Sequence, residues 1–512
     1  MVRLVTILTA FLIVPSLHAQ TKSPFNAALL KTNLERVRES FRVPGMAVVA
    51  LQDGKVVFRE GFGLRSIEEK KPFTSDTICL VASTTKSITA GLVGTLVDDG
   101  TLEWTRPVRE YWPEFKMLDA FASSEMTLED MLCHRSGLPY HENLLAHGVG
   151  RELPDKTQAR QYRLDLLKRL VYFEPSHSFR SHWQYQDVIY ASAGGIVEQA
   201  TGKHYEDLIQ KRILDPLGMK ESTFSRRQAR ETGRLAQGYG TVDGAVVPIP
   251  FNDTRYLAPT AGLYSSADEM AKWVQLQIDK GKLGNRQIIS EASMDWVHAA
   301  HVVSANDGVS LGGGLVTYGQ GWMQHLFRGL PTLGHSGSFN GYRTHISFIP
   351  EKKIGVVVLT NLNLSQAMVA ASFVTLDGLL GHASAEQWIE YFQALEKMAA
   401  EAEETAKRAF ASGRDLSKTP RHDMQAYTGS FYHPGYGTFE VAIRDGALQQ
   451  TYDGRSFDVK PYNGETFETR YQSTENHLHH MTMAFETDED GKVIAVRIPI
   501  VPGIAPPRFV RK

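Results

Sequence analysis

The sequence predicts a mixed α/β (α+β) domain, in which both chain ends form one antiparallel sheet around a helical subdomain, followed by a small all-β barrel-like domain. Three observations carry this expectation. Hairpin-like strand pairs stand near the two ends of a long segment. The stretch between them is helical and broken by Gly and Pro. The last part turns strand-rich, with turn signals at short intervals. The implied boundaries are a leader at 1–19, the first domain at 25–382, a charged helix and linker at 383–424, and the second domain at 425–512.

Each element follows from local pattern. The leader "MVRLVTILTAFLIVPSLHAQ" has one Arg, an apolar core over 4–14 and a small residue at Ala19. That is the pattern of a secretory signal peptide cut after Ala19, and it predicts a secreted or periplasmic protein. The apolar run is about half of the roughly 20 residues that a membrane span needs, so no stable span is expected after cleavage. Leu17, where a smaller residue is preferred, leaves an uncleaved anchor open. Next, 25–41 shows a helical amphipathic pattern. "MAVVALQDGKVVFREGFG" reads as two strands joined at Asp53-Gly54, a pair suited to a two-residue hairpin turn. From 83 to about 280 the chain is mainly helical and loop-rich. "THISFIPEKKIGVVVLTN" is a second hairpin, 344–349 with 354–360, and a helix over about 366–380 follows. An Ala- and Glu-rich helix at 384–411 and the linker "SGRDLSKTPRHD" precede the tail. Within 427–512, Asp445-Gly446, Asp453-Gly454, Asn463-Gly464 and Asp490-Gly491 punctuate short strands.

Composition narrows the function classes. The 512 residues are 42% hydrophobic and 22% charged, with a formal net charge of -2, so nothing marks a partner for nucleic acid or an anionic membrane surface. Two cysteines, Cys79 and Cys133, lie in apolar contexts and are either buried free thiols or a bridge. Asn252 and Asn363 begin N-x-[ST] sequons. "NHLHHMT" would put His477 and His479 on one strand face, but with no acidic or cysteine partner nearby it reads as a solvated face, and no metal or cofactor is expected.

The chemistry begins in "VASTTKSITAGLVGTLVDDG", where Ile88, Leu92, Val93, Leu96 and Val97 recur at helical spacing and predict an amphipathic helix stopped at Gly100. Ser83 and Lys86 stand one helical turn apart at a helix start, where a lysine is electrostatically unwelcome. A serine hydroxyl becomes a nucleophile when a neighbouring base takes its proton. A helix N-terminus adds backbone N–H donors for an oxyanion. S-x-x-K alone arises often by chance. Two further stretches support it: "HWQYQDVIYASAGGIVEQATG", with Tyr185 and Asp187 in a loop before a helix, and "LGHSGSFNGYRTHISF", with His335, Ser336 and Gly337 in strand-like sequence.

With these three motifs the chain resembles the serine β-lactamase-related family: class C β-lactamases, D,D-peptidases and esterases of that fold. The family signatures are S-x-x-K, Y-x-N and [KH]-[ST]-G. Flanks such as "MTLEDMLCHRSGLP", "APTAGLYSSADEMAKWV", "YGQGW" and "IGVVVLTN" extend the likeness over about 44–361, in the family's order. The resemblance implies a β-lactamase/transpeptidase-like fold, with Ser83 as the acyl-accepting nucleophile and Lys86 and Tyr185 sharing its proton. An adjacent ammonium is expected to lower the Tyr185 pKa. His335 would line the far side of the cleft, Ser336 would touch substrate or the Tyr185 hydroxyl, and the backbone N–H groups of Ser83 and Ser338 would form the oxyanion hole. The tail from Tyr427 is similar to lipocalin-like modules appended to some members.

Two departures from the family pattern matter. His335 replaces the lysine of β-lactamases, and a mostly neutral imidazole holds a substrate carboxylate poorly, which favours esters or amides over β-lactams. Asp187 replaces an Asn, so a donor becomes an acceptor; its carboxylate would hold Lys86 protonated, or would receive a substrate ammonium. The implied protein is an exported serine hydrolase acting on a small-molecule ester, amide or peptide. A transacylase of the same fold and a non-catalytic scaffold remain the alternatives. The loop at 140–181, rich in Arg and aromatic residues, is expected to shape the pocket.

Overall fold

Alternation of side chains decides where the sheet lies. In strand β1 (Gly45–Gln52), Ala47, Val49 and Leu51 belong to one buried core while Met46, Val48 and Ala50 belong to a second. A strand buried on both faces in this way must be central, with helices above and below. The computed structural model describes residues 24–141, 155–242, 244–304, 315–382, 384–452, 454–472 and 478–512. The leader at 1–19 and His477 lie outside them.

β1 turns into β2 (Lys55–Ser66) through Asp53 and Gly54, both at positive φ, as the hairpin signal predicts. β3 (Lys71–Pro72) follows at the edge. On its other side β1 pairs antiparallel with a strand from far along the chain, Met46 opposite Thr360 and Gln52 opposite Ile354. The six remaining strands are β4 (Val302–Val303), β5 (Thr317–Tyr318), β6 (Met323–Phe327), β7 (Leu330–Phe339), β8 (Tyr342–Ile349) and β9 (Ile354–Thr360). The order across the sheet is β4-β5-β6-β7-β8-β9-β1-β2-β3. Both ends of the domain therefore build one antiparallel sheet.

Helix α1 (Ala27–Ser40) starts at an Asn26 cap and buries Leu30, Leu34 and Val37, a stripe at helical spacing. It covers one sheet face together with the C-terminal helix of the domain, residues Ala367–Leu379. The helical subdomain covers the other face. Its core contains Cys79 and Cys133, both buried, and both are free thiols. The Asn252 and Asn363 side chains are buried as well, so neither sequon offers its amide to a glycan in the folded protein. No helix among the described residues is long and apolar enough to cross a membrane.

Beyond the long helix Glu386–Ser412, nine strands form a second antiparallel sheet. Its two outermost strands, Arg455–Asp458 and Lys460–Asn463, are consecutive in the chain, which curls the sheet into a nearly closed barrel. Phe431, Phe439, Phe467, Phe485 and Phe509 fill its interior.

Candidate active site

Ser83 lies in a 3₁₀ turn, Ala82–Thr84, that leads into helix α2 (Thr85–Asp98). The sequence reads as an amphipathic helix, but α2 is buried on all sides from Thr85 to Leu96. A helix so enclosed allows a charged residue only with partners at hand. Ala82, just before Ser83, has φ 47°, a sparsely populated conformation for a residue with a Cβ. Its neighbour Val81 is tied down: the Val81 N–H donates to Leu263 O (2.8 Å), and the Val81 carbonyl accepts from Thr84 Oγ1 (2.7 Å) and Thr344 Oγ1 (2.8 Å). Such tethers hold a strained backbone in place.

The fully buried Lys86 donates from Nζ to Asp187 Oδ1 (2.5 Å) and to Thr260 O (3.2 Å), and lies 4.7 Å from the centre of the Tyr185 ring. The Ser83 side chain acts on the Tyr185 phenol and draws its pKa down. Helix α3 (Asp187–Thr201) begins at Asp187, with Gln186 as its cap: Gln186 Oε1 accepts from the Val188 N–H (2.9 Å). Tyr185 and Asp187 thus project from a cap geometry that fixes both. The sequence motifs bring Ser83, Lys86, Tyr185 and Asp187 into one cluster.

Burial lowers the Lys86 pKa, and the Asp187 carboxylate opposes the fall without reversing it. Tyr185 moves the other way from the sequence-based expectation. Burial holds its phenol well above the usual range, and Asp187 adds to the rise; the Ser83 side chain opposes it. The carboxylate that faces Lys86 also faces the phenol and raises its pKa.

Asp187 is placed as a partner of Lys86. Its Oδ1 accepts from Lys86 and Thr260 Oγ1, and its Oδ2 accepts from Tyr140 Oη (3.2 Å). Both oxygens have partners within the protein, the arrangement expected of a carboxylate that serves Lys86. His335 accepts from Tyr318 Oη at Nε2 (2.9 Å), and its Nδ1–H donates to Ser336 O (2.6 Å). Burial pushes its pKa to about 3, so the ring is a neutral scaffold beside Tyr185, at 6.3 Å between centroids.

Ser336 departs from expectation. Its Oγ meets His345 Nδ1 (2.9 Å), and His345 packs on Phe373 of the Ala367–Leu379 helix, behind the sheet. Strand alternation sends the Ser336 and Ser338 side chains to that side and leaves His335 and Gly337 facing Ser83. A Cβ on Gly337 would collide with Val81 O and stand 3.0 Å from Ser83 N, so the strand backbone comes right up to the nucleophile. β6 pairs with β7 only as far as Gly334, and past that point the outer edge of β7 has no strand partner among the described residues.

Four residues had no assigned chemistry in the sequence. Thr260 and Tyr140 complete the shell of Asp187, and Tyr318 fixes His335. His134, at φ 62°, accepts the Gln186 N–H at Nδ1 (3.0 Å) and packs 4.4 Å from the Tyr185 ring. Thr260, Tyr318 and His134 sit inside the flanks "APTAGLYSSADEMAKWV", "YGQGW" and "CHRSGLP", which signalled position without chemistry. Part of the 140–181 loop lies outside the described residues, and the rest contains the helix Lys156–Arg169. Glu198, His204 and Glu206 offer ligand atoms within 4.8 Å of one another, but Arg163 already neutralises the carboxylates through buried ion pairs.

Residues 30–379 match the family model described as Beta-lactamase, and 414–509 match one described as a domain of unknown function, DUF3471. Unguisins hydrolase ungD' of Aspergillus campestris (strain IBT 28561) is 26% identical over 424 residues, which cover 80% of this chain and 76% of that protein. Protein flp of Staphylococcus aureus (strain MW2) is 24% identical over 338 residues, 65% of this chain and 63% of that one. The octameric penicillin-binding protein homologue from Pyrococcus abyssi superimposes with a TM-score of 0.61 at 24% identity, covering 95% of this chain and all of that one, a likeness of fold.

Proposed function

Because the chain belongs to the Beta-lactamase family, we propose that it is a serine hydrolase that cleaves an ester or small peptide amide through an acyl-Ser83 intermediate. The observation that carries this reading is a fully buried Lys86 4.7 Å from the centre of the Tyr185 ring, with the Gly337 backbone pressed against the Ser83 backbone. Ser83 Oγ attacks the carbonyl carbon. Its proton passes to Tyr185 Oη as the Tyr185 proton moves to a neutral Lys86, the form that burial favours. This relay never requires a free phenolate, which the environment of Tyr185 penalises. The oxyanion is held by the N–H groups of Ser83 and Ser338 on the open edge of β7. The proton returns to the leaving group, and water repeats the sequence to release the acid. Each cycle breaks one acyl bond and consumes one water.

The neutral His335 supports substrates without a carboxylate to anchor, and so esters or simple amides over β-lactams. The relative named as an unguisins hydrolase supports hydrolysis over acyl transfer. The leader pattern supports an exported enzyme, released by cleavage after Ala19. A serine-reactive phosphonate probe with peptide mapping tests the reading: label on Ser83, absent from Ser83→Ala, is the expected result. Native protein that leaves the probe unreacted would move the assignment to the scaffold alternative.

A further inference from the structure

One end of the C-terminal barrel reaches both the Tyr185 side and the Ser338 side of the site through intervening residues. At the tip between the strands Gly429–His433 and Gly437–Arg444, the Tyr436 ring packs on Phe173 (5.3 Å) and stacks on His141 (5.9 Å). His141 Nδ1 lies 2.9 Å from Gln186 Nε2, and Gln186 is the residue between Tyr185 and Asp187. Gly435 is held so close that a Cβ there would stand 2.8 Å from the Phe173 ring. At the next tip, Arg455 donates from Nη2 to Asn252 Oδ1 (2.7 Å). The Asn252 backbone is locked to Asn340: its N–H donates to Asn340 Oδ1 (2.8 Å), and its carbonyl accepts from Asn340 Nδ2 (2.7 Å). Asn340 is in the β7–β8 turn, two residues after Ser338. The two tips are joined by Tyr452 Oη donating to the Tyr436 carbonyl (2.7 Å).

From this we infer that the barrel is a specificity clamp. Tyr436 and Arg455 fix the separation between the Tyr185 wall and the Ser338 wall, and so set the width of the acyl group that reaches Ser83. The inference rests on the hydrolase reading above. Arg455 and Tyr436 touch no reacting atom and act through Asn252 and through His141 and Gln186, as positioning residues. A pocket wall shifted by the width of a methylene changes discrimination between substrates by about 10- to 200-fold.

The test uses the full chain and two esters with one leaving group, p-nitrophenyl acetate and p-nitrophenyl benzoate. The readout is the ratio of their kcat/KM values, which the fraction of folded protein does not alter. Arg455→Ala should raise the benzoate-to-acetate ratio roughly tenfold, at the low end of that discrimination range. Asn252→Ala should do the same from the other side of the contact, the double variant should add little, and Arg455→Lys should restore part of the native ratio. Tyr436→Ala should raise the ratio through the opposite wall and serves if Arg455→Ala does not fold. An unchanged ratio in folded variants whose Ser83 still takes the phosphonate overturns the clamp. A native protein that neither labels nor turns over either ester overturns the hydrolase reading instead.

Discussion

At Gly337 a single methyl group is decisive. Gly337→Ala would drive a carbon into Val81 O and against Ser83 N, and the strand would have to move off the nucleophile. Acylation should fall by at least about 10²-fold, the scale for losing one oxyanion donor, and the unfolding midpoint should fall as well, since overpacking against backbone costs about 1–3 kcal/mol; stopped-flow acylation beside a thermal melt measures both. Asp187 acts on two proton sites at once. Asp187→Asn removes the charge that raises both Lys86 and Tyr185, so both pKa values should drop. Neutral Lys86 then persists to lower pH, and the limb where kcat/KM climbs with pH should shift towards acid. A limb that stays in place would mean that Lys86 is not the proton acceptor. Lys86→Ala and Tyr185→Phe should each cost about 10²–10⁴-fold, and their double variant should be far from additive, because they pass one proton. The four motif residues of this site were legible in sequence because their spacing is chemical. The direction of the Tyr185 shift was not, because it depends on how deeply the ring is enclosed and on which oxygen of Asp187 faces it.

The element that presents this chemistry is the start of α3. Gln186 caps it with Oε1 while its amide reaches Pro139 O and His141. Gln186→Ala should lower stability by roughly 1 kcal/mol, the usual value of a lost cap, and should lower kcat more than that loss of folded protein accounts for. Urea unfolding and kcat on the same samples separate the two effects. At this scale the sequence was informative wherever an element carries its own punctuation. The Asp53-Gly54 hairpin, with both residues at positive φ, is of that kind. It was misleading for α2, whose apolar positions give an amphipathic pattern although the helix is enclosed; Thr89, Thr95 and the glycines are buried by neighbours that no local window contains. For Ser336 the resemblance pointed to the wrong side of the strand, because which side meets the helix Ala367–Leu379 is a tertiary fact.

For the molecule as a whole, buried imidazoles set the response to acid. Burial pushes His141, His298 and His325 to about 4 and His335 and His345 to about 3. Folded values below the unfolded value of about 6.5 mean that the unfolded chain binds more protons as pH falls. Stability is therefore intact above about pH 6.5 and declines below it, by roughly 1.4 kcal/mol per group per pH unit until each folded value is reached. Urea midpoints at pH 7 and pH 5 should differ sharply, and equal midpoints would show that these rings are charged in the fold. Sheet topology has a consequence for how the chain is made. β1 leaves the ribosome early, yet its partner β9 is translated only after the whole helical subdomain. At about 5–20 residues per second, that wait is on the order of tens of seconds. Throughout it, an apolar strand with an unsatisfied edge is exposed. During synthesis the open edge of the N-terminal hairpin is therefore the last part of the sheet to be satisfied, and lengthening the helical subdomain by insertion would prolong that exposure before it altered the finished fold.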